Sequence, residues 1–192
     1  MGKVGGFAVL TFGVAGPVAA GLAALWVALA SATDAPPSAT APVAPAPIEL
    51  HFSPDEDLEA IDVGLIEEAG ERIEVAAYVL SDEAVVEALR DAAVRGAKVR
   101  VLVEPANDDK DAAELDELRR APGVEVRLRR RPDEAWMHMK AYAVDRVLYR
   151  GGAANFSRSG ETRQDNDLII VRDAATAAWF EAKFQAMWET GK

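Results

Sequence analysis

Residues 137–167 read MHMKAYAVDRVLYRGGAANFSRSGETRQDND, and the rest of the chain is organised around them. His138 is one of only two histidines, and it stands two residues from Lys140. In an extended strand, residues two apart share a face. The alternation over 138–144, the Asp145-Arg146 pair and the run 147–149 predict a hairpin, with Asp145 at its tip as a turn former. Gly151 and Gly152 permit a sharp turn and close backbone approach, and Asn155 and Ser157 follow directly. An imidazole and an ammonium on one face, met by an amide and a hydroxyl from a nearby turn, suit a phosphodiester. One group attacks phosphorus while the others hold the non-bridging oxygens.

The stretch His138-x-Lys140-x4-Asp145, followed by Gly151-Gly152 and Asn155-Phe156-Ser157, resembles the signature of the phospholipase D superfamily. It is most similar to the small bacterial nuclease branch with one such motif per chain. The resemblance covers about the last three quarters of the chain, from Phe52-Ser53-Pro54 to an aromatic C-terminal helix ending near Trp188. It implies a phosphohistidine enzyme. His138 is then the nucleophile, Lys140 and Asn155 hold the phosphate, Ser157 bonds phosphate or braces the turn, and Asp145 is chiefly an orienting or structural acid.

One histidine does not readily serve as both nucleophile and leaving-group acid. Two-motif relatives supply a second, so this chain is expected to form a homodimer with its site on the two-fold axis. Two departures from the pattern stand out. Ala153 replaces a serine, and Asn166 stands where a histidine-orienting glutamate is expected, flanked by Asp165 and Asp167. Any of these three is a candidate orienting residue.

The 192 residues allow one ordinary domain plus an appendage. There is no cysteine, which excludes a disulfide framework and Cys-based metal sites. No His, Asp or Glu spacing suggests a metal site, and no cofactor is expected. Net charge is −11. Of 21 basic and 32 acidic residues, only Lys3 and Asp34 precede residue 48, leaving 20 and 31 beyond it. Such an acidic body opposes broad tracking of a nucleic-acid backbone but allows a local basic mouth. Arg127, Arg129, Arg130 and Arg131, just before the motif, either line a substrate entrance or protect a strand edge with charge. Trp136 and Met137 either pack or offer a stacking surface.

Residues 4–33 carry no charge. The run 6–30 is long enough for a transmembrane helix of roughly 20 residues. A cleaved signal peptide ending near the Ala30-Ser31-Ala32 site is the alternative. Lys3 favours a cytoplasmic N-terminus and an exported, periplasmic domain. The expected organisation is a membrane anchor or signal over 1–32, a Pro/Ala linker over 33–47 reaching up to roughly 45 Å, and a catalytic domain over 48–192. Within that domain, 48–52 reads as a strand. A helix capped by Ser53, with Pro54 and Glu56 completing its first turn, runs to about residue 69. Strands over 72–80, 98–103, 124–128 and 168–171 alternate with helices over 82–95, 108–121 and 174–190. Leu115 and Leu118 lie on the buried side of the third helix, and Trp179, Phe180, Phe184, Met187 and Trp188 form a core stripe on the last. His51 is read as structural. This order predicts an α/β fold, a layered α-β-α domain with a mixed sheet.

The expected function is a membrane-anchored, metal-independent phosphodiesterase, with nucleic acid favoured as substrate over phospholipid. A degenerate phosphate-binding module is the non-enzymatic alternative.

Overall fold

The computed structural model describes residues 47–107, 112–129 and 135–191. The expected anchor and linker lie outside the described residues, apart from Pro47. Among the described residues, no helix is long and apolar enough to cross a membrane.

Seven strands form one mixed sheet in the order β1-β7-β6-β5-β2-β3-β4. They are β1 (Ile48–Ser53), β2 (Arg72–Ala77), β3 (Lys98–Val103), β4 (Val124–Leu128), β5 (Lys140–Val144), β6 (Leu148–Gly152) and β7 (Asn166–Val171). Strands β2, β3 and β4 pair in parallel, because helices connect them. The β5–β6 hairpin and β7 run antiparallel and give the sheet its mixed character. The predicted hairpin turn is present, with Asp145 and Arg146 at φ 49° and 63°. Two central residues in the left-handed region match the twist of the flanking strands.

Helices α1 (Leu58–Glu67), α2 (Glu83–Val94) and α3 (Ala112–Arg120) cover one face, where Leu58, Ile66, Leu89, Leu115 and Leu118 are fully buried. The short α4 (Arg158–Thr162) adjoins α1 and has no counterpart in the sequence expectation. Helix α5 (Ala174–Trp188) covers the other face through Phe180, Phe184, Met187 and Trp188. The α-β-α layering expected for 48–192 is therefore present.

Three local expectations fail. Ser53 does not cap a helix. It closes β1, and its Oγ donates to the Gln164 carbonyl at 2.7 Å. Asp57 caps α1 instead, accepting from Ala60 N. Glu56 takes the His51 ring and the Phe52 N–H rather than completing a capping box. Trp179 is 76% exposed, unlike the rest of the predicted stripe. Phe180, Phe184, Met187 and Trp188 follow the i, i+4, i+7, i+8 pattern of one helix face, and Trp179 is a full 100° off it. Ile48, Leu50 and Phe52 alternate as expected of a strand, yet all three are exposed, because β1 is an edge strand that α5 does not reach.

Candidate active site

The parallel strands β2 and β3 end on the same edge of the sheet as the start of β5 and the end of β6. Their side chains and loops build one corner. The C-terminal extension of β2 clasps both halves of the motif. Tyr78 N donates to the Met139 carbonyl at 2.7 Å, and Ser81 N and Asp82 N donate to the Phe156 carbonyl at 2.9 and 3.1 Å. His138 and the 155–157 turn are thus held on either side of the 78–82 segment, although they are far apart in sequence.

His138 precedes β5 rather than lying within it, and its ring is exposed. Its position is set by neighbours. Glu104, at the end of β3, is buried and accepts from Met137 N at 2.7 Å. The Tyr78 ring lies against the imidazole with centroids 4.2 Å apart. Lys140 opens β5 and is buried, with Nζ 3.0 Å from the His138 carbonyl, 3.0 Å from Nδ1 and 3.3 Å from Nε2. The same ammonium lies 4.8 Å from the centre of the Tyr78 ring. Burial pushes the Lys140 ammonium below the ordinary lysine range. The predicted pairing of His138 with Lys140 is therefore present, with one member buried and the other open to ligand.

Beneath Lys140 lies a buried polar network. Arg150 on β6 has no solvent exposure, and its Nη1 donates to the Lys140 carbonyl at 3.1 Å. Its Nε donates to Asp62 Oδ1 at 2.8 Å, and Nη2 meets Asp62 Oδ2 as well. The Tyr142 hydroxyl donates to the same Asp62 Oδ1 at 2.8 Å. Glu161 of α4 approaches the guanidinium to 3.8 Å.

The 155–157 turn is braced from within. Ser157 caps α4, its Oγ accepting from Gly160 N at 3.2 Å. Asn155 is half-buried, and its Oδ1 is enclosed without a hydrogen-bond partner among the described residues. At Gly152 φ is 147°, and an added Cβ would stand 2.3 Å from the Asp167 carbonyl, so only glycine lets β6 approach β7 here.

Several predicted residues are not brought to this corner. Asp145 sits at the opposite end of β5, where its carboxylate accepts from Gly70, Glu71 and Arg72 N–H groups at 2.8, 2.9 and 2.8 Å. Burial opposes ionisation there, but these bonds and Arg72 outweigh it and hold the carboxyl below its usual range. Asn166 donates to the carbonyl of Gly160 and to Gln164, the Asp167 carbonyl accepts from Ala153 N, and Asp165 is exposed. None of the three bonds to His138, whose ring nitrogens meet only Lys140 among the described residues.

The two arginines of the cluster that are described meet the end of α5. Arg127 donates to the Trp188 carbonyl and stacks on the Trp188 ring at 4.4 Å, and Arg129 bonds Thr190. Arg130 and Arg131 lie outside the described residues. Met137 packs as expected, but Trp136 is 64% exposed.

Tyr78, Glu104, Asp62, Arg150 and Glu161 are absent from the sequence reading of the site. Asp62 had a legible signal: it occupies the Leu58, Leu65, Ile66 face of α1, where a charge requires a partner. A second unforeseen feature is the cluster of Glu59, Asp82 and Glu161, whose oxygens lie within 4.8 Å of one another. It draws on α1, the cap of α2 and α4, so no linear spacing reveals it. These are the residues a cation could use. Two of the three carboxyls, Glu59 and Glu161, are held above the usual carboxylate range. Hydrogen bonding to Asp82, with burial, pushes Glu59 up to about 7, and burial beside Asp62 pushes Glu161 up to about 10.

The site is thus an imidazole–ammonium pair at one strand edge of a mixed α-β-α sheet, a pair chemically suited to an anion. The family described as "Cardiolipin synthase, PLD-like domain" matches residues 63–188, and the chain belongs to the phospholipase D superfamily. A protein named phospholipase D from Rickettsia felis is 32% identical over 126 residues, 66% of this chain. The match spans 62% of that relative's own length. Among solved structures, the phospholipase D family member Nuc from Salmonella typhimurium aligns with a TM-score of 0.70, at 21% identity over 77% of this chain and 97% of its own. NucT from Helicobacter pylori aligns with a TM-score of 0.69, at 21% identity over 77% of this chain and 98% of its own. Both establish likeness of fold.

Proposed function

We propose that this chain is a metal-independent phosphodiesterase that acts on nucleic acid through a covalent phosphohistidine, with its site completed by a second copy on a two-fold axis. Residues 6–30 anchor it to a membrane, with the domain on the exported side. The observation that carries the catalytic reading is the pairing of an exposed His138 ring with a buried Lys140 ammonium 3.0 Å from Nδ1. The ammonium is desolvated and fixed before substrate arrives, which strengthens its pull on an incoming phosphate oxygen.

A ring nitrogen of His138 attacks phosphorus, and the bond to the leaving oxygen breaks. The imidazolium of His138 in the second copy supplies that oxygen's proton. Water then attacks the phosphohistidine, gives its proton to the second copy's imidazole and frees His138 with a phosphomonoester as product. Lys140 and the Asn155 amide hold the non-bridging oxygens throughout. Ser157 and Gly152 fix the turn that presents Asn155.

The Nuc-like fold supports nucleic acid as substrate. The name of the Rickettsia relative and the acidic body favour a second reading, a lipid phosphodiester.

The test uses the full-length protein with single-stranded DNA, RNA and phospholipid vesicles. Acid quenching during turnover should trap a phosphoryl group on His138, and activity should persist in EDTA. Turnover without the adduct overturns the covalent mechanism, and loss in EDTA restored only by a divalent ion overturns metal independence. Cleavage of vesicles alone assigns the lipid reading.

A further inference from the structure

An exposed tryptophan lies beside the candidate nucleophile. Trp136 is 64% exposed, while its neighbour Met137 is buried and tied through its N–H to Glu104. The indole stacks on Tyr78, with centroids 5.9 Å apart and planes inclined at 30°. Tyr78 in turn lies 4.2 Å from the His138 ring. Three rings therefore form a ladder that ends on the imidazole. One indole face is supported by Tyr78, and most of the ring remains open to solvent.

We propose that Trp136 is a base-stacking platform, a subsite for the nucleobase next to the scissile phosphate of single-stranded nucleic acid. The inference rests on the nuclease reading above and extends it to substrate class. A flat ring held by a second ring suits a flat ligand, and any base can stack on it without hydrogen-bond readout. Only an unpaired base exposes its face, so the platform selects single strands. A membrane-binding rim would call for a group of apolar side chains. Among the described residues, the other large exposed apolar side chains lie elsewhere: Ile48, Leu50 and Phe52 on β1, Val94 at the end of α2, Val147 at the hairpin tip and Trp179 on α5. Tyr78 is the positioning residue, since it holds both the indole and the imidazole.

The test uses full-length protein and short oligonucleotides in which one phosphodiester is cleavable and the remaining linkages are methylphosphonates. The nucleotide beside that phosphate carries either thymine or no base. The wild type should cleave the thymine substrate about ten-fold or more faster, the range that stacking on one aromatic ring supplies. Trp136→Ala should cleave both at the wild-type abasic rate, and Trp136→Phe should keep most of the preference. Equal rates in the wild type, or a preference that survives in Trp136→Ala, overturn the platform while the nuclease reading stands. Failure of the wild type to cleave either substrate removes the nuclease reading and the platform together. Vesicle hydrolysis that depends on Trp136 assigns the indole to a lipid surface and overturns the proposal.

Discussion

Arg150 on β6 and Asp62 on α1 are both fully buried, and Arg150 Nε donates to Asp62 Oδ1 at 2.8 Å. The same guanidinium donates to the Lys140 carbonyl, so the pair links the first helix to the strand that carries the ammonium. Removing one member of a buried ion pair leaves an uncompensated charge, at a cost of about 3–5 kcal/mol. Arg150→Met should lower the urea midpoint accordingly, and adding Asp62→Asn should recover part of the loss. An unchanged midpoint in Arg150→Met would show that the pair contributes nothing to holding β5.

Asp145 spends its carboxylate on three backbone N–H groups far from His138. Asp145→Ala should destabilise the fold by about 1–3 kcal/mol, the cost of leaving such groups unsatisfied. Turnover measured well below the melting temperature should stay within about two-fold of wild type. A folded variant with turnover lost by orders of magnitude would return Asp145 to the chemistry.

Burial lowers the Lys140 ammonium, and its charged form is the one that holds phosphate. The hold of the ammonium on phosphate is therefore retained below the folded-state pKa of Lys140 and lost as pH rises through it. The alkaline limb of inhibition by inorganic phosphate, which reads binding rather than proton transfer, should fall below the ordinary lysine value of about 10.4. In Lys140→Arg that limb should move beyond the accessible range, at reduced activity, because guanidinium does not deprotonate. An identical limb in Lys140→Arg would assign it to another group.

Glu59 has a folded-state pKa raised to about 7, chiefly by its hydrogen bond to Asp82. A carboxyl raised on folding contributes stability that is complete below its unfolded pKa and is lost as pH rises through the folded value. Glu59→Gln keeps the donor and cannot ionise. It should raise the melting temperature by about 2–4 °C at pH 8 and change little at pH 4.5. Equal shifts at both pH values would show that the Glu59 proton does not govern the cluster.

Local patterns in the sequence were readable where local forces dominate. The bounds of β3 and β4, the Asp145-Arg146 turn, and the buried Leu115 and Leu118 follow from β-branching, turn chemistry and helical period. Ser53 departs from the local pattern because a strand end and a cap both accept a serine followed by proline, and here a bond with Gln164, 111 residues away, decides for the strand. Trp179 is exposed because it stands 100° around the helix from Phe180, so the helical period excludes it from the face that Phe180, Phe184, Met187 and Trp188 share. The His138–Lys140 pair was legible because its members stand two residues apart.

The sequence by itself determined the order of the strands and of every helix but α4, and it offered the imidazole, ammonium and amide of the proposed site, because these depend on neighbours within a few residues. Tertiary structure alone decided which charges are buried together, which acid serves as a clasp and which ring lies beside His138. Asp62 meets Arg150 across 88 residues, and Asp145 reaches Gly70 across 75. Such contacts form only when the sheet assembles and excludes water, and then each buried charge must find a partner wherever the fold supplies one.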